Sequence, residues 1–292
     1  MLESSESLIQ ALSGRFSRKF MCLRKKSKLG YGALIMSVLL LAGITSAISW
    51  KYYNGTEAEK TIVNLKRSYG VNIYHVYKAE TFFPDDPTRR GSQIWLLNLR
   101  PTLTLVDDFL SKYPTWVINK NLSDIFLLDT LEIHGKKAGG TYSGSKIYIS
   151  TGGIPRHSDY ALLALMHAEF SSILFHRYSF PRNEWESINP SGWKYFGNAF
   201  DMLGRAAAYE QSLELFENGF LDGYSRSSVE EDFNAFVSWT FTNPTRLRIK
   251  AEIHRRIKEK CLLIIKFFES IDPKIEIPKS ILDLLKQSHE KG

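Results

Sequence analysis

The ten residues HAEFSSILFH, His167 to His176, gather groups that could bind a metal or move a proton. In the order H-E-x-x-H on a helix, two histidines one turn apart hold zinc and the glutamate activates a water. Glu169 supplies the carboxylate here, but the two imidazole positions are filled by Ala168 and Ser172. Histidines stand instead at 167 and 176. His176 is seven residues from Glu169, about 10 Å along a helix axis, too far for one ion with zinc–nitrogen bonds of about 2.1 Å. His167 is turned about 100° from position 168 and would join the Glu169 face only through a π-bulge. Without a bulge, both histidines read as hydrogen-bonded helix residues.

A second set lies in GYSRSSVEEDFNAF, where Tyr224 precedes Glu231 by seven residues. Ser228 with Glu231 three residues on is a capping box, which explains the glutamate without any chemistry. Tyr224 on the same footing is a tyrosine packed at a turn. Phe233, Phe236 and Trp239 recur at helical spacing and read as core.

The elements that must carry these residues follow from periodicity. TEAEKTIVNLKRSYG reads as a helix ended by Gly70, and VNIYHVY alternates like a strand. FFPDDPTRRGS reads as a polar loop. PTLTLVDDFLSKYP reads as a helix with Pro101 near its first turn. DIFLLDTLEI and SKIYIS read as strands separated by the glycine-rich HGKKAGGTYSGS, and from Ser158 onward the pattern is helical. On a helical wheel over Ser158–Tyr178, Leu162, Leu163, Met166, Phe170, Ile173 and Leu174 form the core stripe. Ala168, Glu169, Ser172 and His176 lie on the opposite arc, so Glu169 and Ser172 are expected to face a cleft. NPTRLRIKAEIHRRIKEKCLLIIKFFESI reads as one long final helix capped by Asn243.

Residues 1–28 carry seven Lys or Arg against Glu3 and Glu6, and so most of the chain's net charge of +7. Residues 29–50, LGYGALIMSVLLLAGITSAISW, contain no charge. A helix of that length spans roughly 30 Å, the hydrocarbon thickness of a bilayer. Trp50, Tyr52 and Tyr53 at one end resemble an interfacial aromatic belt, and the basic tail marks the cytoplasmic side. The sequence therefore divides into a basic cytoplasmic tail (1–28), a transmembrane signal anchor (29–50) and an extracytoplasmic domain (51–292). A cleavable signal peptide, with ITSA before Ile48 as its processing site or Met21 as its start, is the rival reading. Cys22 and Cys261 fall on opposite sides of that membrane, which excludes a disulfide framework and a cysteine zinc site. The basic run in 246–260 is interrupted by Glu252 and Glu259, a solvated face and not a nucleic-acid surface.

Three features together resemble a zinc-binding metallopeptidase family, zincin-like and similar to the anthrax lethal factor catalytic domain. GGTYSGSKIYIS stands where an edge strand precedes the zincin active-site helix. AEF at Ala168–Phe170 matches the H-E-F opening of that helix. YSRSSVEEDFNAF has the family's tyrosine seven residues before a metal-binding glutamate, with FPRNEWESINP and FENGFLDGY similar to the linking region. The likeness covers roughly Leu127 to Ile271. It implies an α+β, zincin-like domain, a small mixed sheet plus a helical half, with a peptide-sized cleft between edge strand and helix. Glu169 would be the general base, Tyr224 a donor to the oxyanion and Glu231 the glutamate metal ligand. Both histidine ligands are replaced, by Ala168 and Ser172. The expectation is a membrane-anchored metallopeptidase homologue impaired in catalysis, taking a peptide or protein ligand and holding zinc weakly at most. The alternatives are an active zinc peptidase with shifted ligands, His167 and Glu231, and a non-catalytic anchored peptide-binding or structural domain.

Overall fold

A computed structural model of the chain describes residues 56–75, 83, 86–153, 156–197, 199–202 and 206–289. The basic tail and the expected membrane span at 29–50 lie outside the described residues. Among the described residues no helix is long and apolar enough to cross a membrane.

Helix α1 covers residues 56–69 and stops at Gly70, whose φ of +73° is a left-handed conformation that glycine adopts without a Cβ penalty. Strand β1 (Asn72–Tyr74) follows, then β2 (Arg89–Gln93), α2 (Leu96–Ser111), α3 (Thr115–Asn121) and β3 (Asp124–Ile133). Strands β4 (Lys136–Ala138), β5 (Gly140–Ser143) and β6 (Lys146–Ser150) complete the sheet. Its order is β1-β3-β6-β5. β1, β3 and β6 are parallel, β5 is antiparallel to β6, and β2 and β4 pair antiparallel with the far half of β3. Alternation along β3 and β6 sends Ile125, Leu127, Ile147 and Ile149 into the main core. It sends Phe126, Leu128 and Tyr148 to a smaller cluster on the other face.

Helices α1, α2 and α4 (Asp159–Arg177) cover the main-core face. Their direction is set by the strands they adjoin. α1 enters β1 through the tight turn at Gly70, and α4 leaves the end of β6, so both run opposite to the parallel strands. α2 runs alongside α1 in the same sense: Tyr69 donates to Asp107 Oδ1 at 3.2 Å. At the other end, Lys60 first and then Arg100 lower the Glu57 carboxyl below its usual range. Asn98 in the first turn of α2 donates to Gly153 O at 3.2 Å, in the loop that leads into α4. All three helices therefore begin at one end of the domain, beyond the C-terminal ends of the parallel strands.

The rest is helical: α5 (Arg182–Ile188), α6 (Ala199–Met202), α7 (Leu213–Glu217), α8 (Val229–Thr242), α9 (Pro244–Ile253), α10 (Arg255–Ile271) and α11 (Lys279–His289). The α+β order, sheet first and helices after, is the expected one. Several local readings are corrected. Arg89–Ser92, expected in a loop, lies in strand β2 because β3 is long enough to pair it beyond the reach of β1. The glycine-rich segment folds as β4 and β5. Pro101 lies in the second turn of α2, not the first. The long final helix is two helices, broken at His254, whose φ of −113° and ψ of 109° are extended, and Asn243 makes no side-chain cap. The His254 ring packs against Phe216 instead, 5.8 Å between centroids.

Candidate functional site

Ser158 caps α4 by accepting from Ala161 N at 3.2 Å, and the helix continues without a bulge to Arg177. Phe170, Ile173 and Leu174 are buried as the wheel requires. The opposite arc is not an open wall. Ser172 is only 2% exposed, because α8 lies across it. Ser171 donates to Asn234 Oδ1 at 2.6 Å, and Asn234 Nδ2 donates to Ser172 Oγ at 2.8 Å. Ser238 adds a second rung, donating to Ala164 O at 2.9 Å. Asn234 thus satisfies both ends of its amide between two serines of the facing helix.

This crossing brings Glu169 and the start of α8 together. Glu169 lies against edge strand β5, where a Cβ on Gly140 would come 2.7 Å from its Oε1. The glycine is what admits the carboxyl to that position. At the head of α8, Ser228 accepts from Glu231 N at 3.1 Å, half of a capping box. The Glu231 carboxylate is turned elsewhere: Tyr224 donates to its Oε1 at 3.3 Å. The capping motif therefore explains the helix start and leaves the side chain to the site. Glu230 adds a third carboxylate, 2.9 Å from His176 Nε2. Tyr142 of β5 stacks against His176 at 6.0 Å.

The electrostatics are those of crowded acids under cover. Burial pushes Glu231 up to about 7, the Glu230 charge adds to this, and hydrogen bonds from Asn234 and Tyr224 oppose it. Glu169 stands well above the usual carboxylate range, through burial first and then the charges of Glu231 and Glu230. Tyr142 is raised by burial and by its hydrogen bond and proximity to Glu230. Burial and mutual repulsion therefore both disfavour the charged forms of Glu169 and Glu231.

A buried ion pair fixes the α8 head from behind. Lys260 and Asp232 are both fully buried, with Nζ 2.6 Å from Oδ2. The same Oδ2 accepts from Trp185 Nε1 at 2.8 Å and Tyr195 OH at 2.7 Å. Lys260 also donates to Gly219 O at 2.8 Å and lies over the Phe220 ring at 4.3 Å. With Asp232 held inward, Glu231 on the adjacent position is directed to Tyr224.

His167 does not join this group. It is 1% exposed, with Nδ1 2.9 Å from Tyr113 OH and its ring stacked on Phe241 at 4.4 Å and 9°. Burial, then the nearby Lys112 charge, lowers its pKa to about 3. The shifted-ligand reading needed a bulged helix, and α4 has none. His176 is the exposed, hydrogen-bonded helix histidine expected. Cys261 is buried and free.

Among the described residues no group of three or more His, Cys, Asp and Glu side chains is placed to hold a metal ion. The donors present do not fit a zinc centre: Ala168 has no ligand atom, and Ser172 is committed to Asn234. Sequence reasoning found Glu169, Tyr224 and Glu231, and the structure gathers them. It missed Asn234, Tyr142 and Glu230. An asparagine inside the aromatic stripe FNAF was the available signal, because a buried amide demands partners.

No family model matches the chain, and no curated protein does. Among solved structures the chain is similar to one from Bacteroides caccae described as a "putative zinc-binding metallo-peptidase". The two are 14% identical, the match covers 80% of this chain and 92% of that one, and the TM-score is 0.48.

Proposed function

We propose that the chain is a membrane-anchored, extracytoplasmic domain of metallopeptidase type that binds an extended peptide along the outer edge of β5 without hydrolysing it through zinc. One observation carries the reading. Tyr224, Glu231 and Glu169 are gathered beside β5, while Asn234 occupies the hydrogen-bonding capacity of Ser172 where a second imidazole would stand. Strand β5 pairs with β6 on one side and stands at the end of the sheet path, so its outer edge suits an added strand. The uncharged run 29–50 and the basic tail before it support the anchor and its orientation.

The test uses the full chain purified in detergent, with metal content, peptide hydrolysis and peptide binding measured together. Zinc well below one per chain, hydrolysis equal to that of Glu169→Gln, and binding weakened by a strand-breaking proline at Tyr142 are the expected results. Stoichiometric zinc with activity lost in Glu169→Gln would identify a working peptidase. Absence of peptide binding would leave an anchored structural domain.

A further inference from the structure

Arg226 ends the short turn that begins at Tyr224. Phe196 N donates to Arg226 O at 3.1 Å and Gly197 N donates to Ser227 O at 2.8 Å, so the segment 193–197 is held alongside that turn. The Arg226 guanidinium lies over two rings of this segment, 4.6 Å from the Phe196 centroid and 5.3 Å from that of Trp193. Trp193 is anchored in its turn by the fully buried Phe220, 4.6 Å away between ring centroids. Phe196 is 54% exposed, so the notch between the rings opens to solvent.

The arginine has a fixed place but no acceptor. Its Nε is buried without a hydrogen-bond partner, and so is the neighbouring indole Nε1 of Trp193. The ion pairs among the described residues leave Arg226 out. Other part-buried arginines differ: Arg256 donates to Ile188 O and Glu217 O, both at 3.1 Å, and Arg177 donates to Lys120 O at 2.7 Å. A part-buried cation without an acceptor is unfavourable, and contacts with two rings offset only part of that. The planar guanidinium fork is matched by a planar carboxylate, which accepts two parallel hydrogen bonds from it. Lys194, between the two rings in sequence, is exposed and adds positive charge. The notch also adjoins the candidate site. Tyr224, which donates to Glu231, is two residues from Arg226, at most about 7 Å between Cα atoms.

We propose that Arg226, set in the notch of Trp193 and Phe196, binds a carboxylate of the peptide ligand, with an apolar neighbour of that carboxylate lying against Phe196. The inference rests on the peptide-binding reading for the remainder of the ligand and adds its class, an acidic peptide. The carboxylate has two possible sources, an aspartate or glutamate side chain and the C-terminus of the peptide.

The experiment uses the full chain in detergent, with its six tryptophans replaced by 5-fluorotryptophan and followed by fluorine NMR. Trp193→Phe assigns the signal of position 193. Three probes are titrated: N-acetyl-aspartyl-phenylalaninamide, N-acetyl-asparaginyl-phenylalaninamide and N-acetyl-alanyl-phenylalanine with its carboxylate free. The Trp193 signal is expected to shift saturably with the first probe, the third or both, which names the source. The neutral asparaginyl probe should bind at least tenfold more weakly. Arg226→Gln should abolish that preference while the other five signals stay in place. Arg226→Lys, which keeps the charge and loses the fork, should weaken acid binding severalfold. An equal response to all three probes, no response to any, or a preference that survives Arg226→Gln overturns the proposal. If the glutamine variant does not fold, the lysine variant decides, and acid binding equal to the parent's overturns it. The dipeptides are too short to add a strand to β5. Failure of extended-peptide binding at β5 is therefore read apart from failure of this site.

Discussion

Asn234 Nδ2 donates to Ser172 Oγ at 2.8 Å, joining α8 to α4 at the position that the second histidine takes in H-E-x-x-H. The contact is internal, both residues being nearly inaccessible. A hydrogen bond of this kind contributes modestly when made and costs more when one partner is left alone.

Asn234→Ala leaves the buried Ser172 hydroxyl without its partner, while Ser171 keeps its bond to Ala168 O, and opens a small void. It is expected to cost about 1–3 kcal/mol in urea unfolding. Ser172→Ala should cost less, because Asn234 keeps Ser171. The two together should be less than additive, since they share one contact. Additive losses would mean that the clamp contributes nothing across the helix crossing.

Lys260 and Asp232 form a pair whose value lies in not being broken. Lys260→Met leaves a buried carboxylate without its counter-charge, a loss of roughly 3–5 kcal/mol. The sign of the pH effect follows. Burial raises Asp232 above its ordinary value, and removing Lys260 removes an opposing cause. A carboxyl raised in the folded state contributes stability below its unfolded pKa that is lost as pH rises through the folded one. The gap between variant and parent should therefore narrow on acidification, as read by unfolding midpoints across pH.

The same sign governs Glu231. Its pKa is about 7 in the folded chain against an ordinary 4.5, so its contribution is complete below about pH 4.5 and lost as pH rises through about 7. Partial exposure keeps the effect below a ceiling of roughly 3 kcal/mol. Stability should fall between about pH 5 and about pH 8, and Glu231→Gln should flatten that fall. An unchanged slope in the variant would assign the titration to Glu169 or to other groups.

What the sequence discloses about this domain divides along physical lines. Long periodic segments are legible, because a stripe such as Leu162, Met166, Phe170 and Ile173 has one low-energy way to be buried. The spacing of Tyr224 and Glu231 is legible because a short turn and a capped helix fix it locally. Strands β2, β4 and β5 are not, since their residues are mostly polar or glycine: β2 and β4 pair because β3 is long, and β5 pairs with β6. The side on which His167 falls is also hidden. Its partners Tyr113 and Phe241 come from distant parts of the chain, and no wheel contains them. The helix break at His254 likewise depends on Phe216, far away in sequence.

The last prediction concerns rebuilding the metal site, and the helix crossing sets its terms. A catalytic zinc site needs three protein ligands and a position for water. Ala168→His with Ser172→His supplies two imidazoles one turn apart, near Glu231. Position 172 is not open, however: an imidazole there must displace the Asn234 amide from its contact with Ser172 Oγ. Overpacking of this kind costs about 1–3 kcal/mol, which would be taken from the zinc affinity. The double variant should therefore bind zinc weakly. Adding Asn234→Ala removes the obstructing amide, and the triple variant should bind zinc at least tenfold more tightly than the double, a difference of about 1.4 kcal/mol. Competition with a chromogenic chelator measures both. Glu231→Gln in the triple variant should then reduce the affinity, because a neutral amide is a poor third ligand. If the double variant binds zinc as tightly as the triple, Asn234 is no obstacle, and the clamp is not what keeps this site from taking the metal.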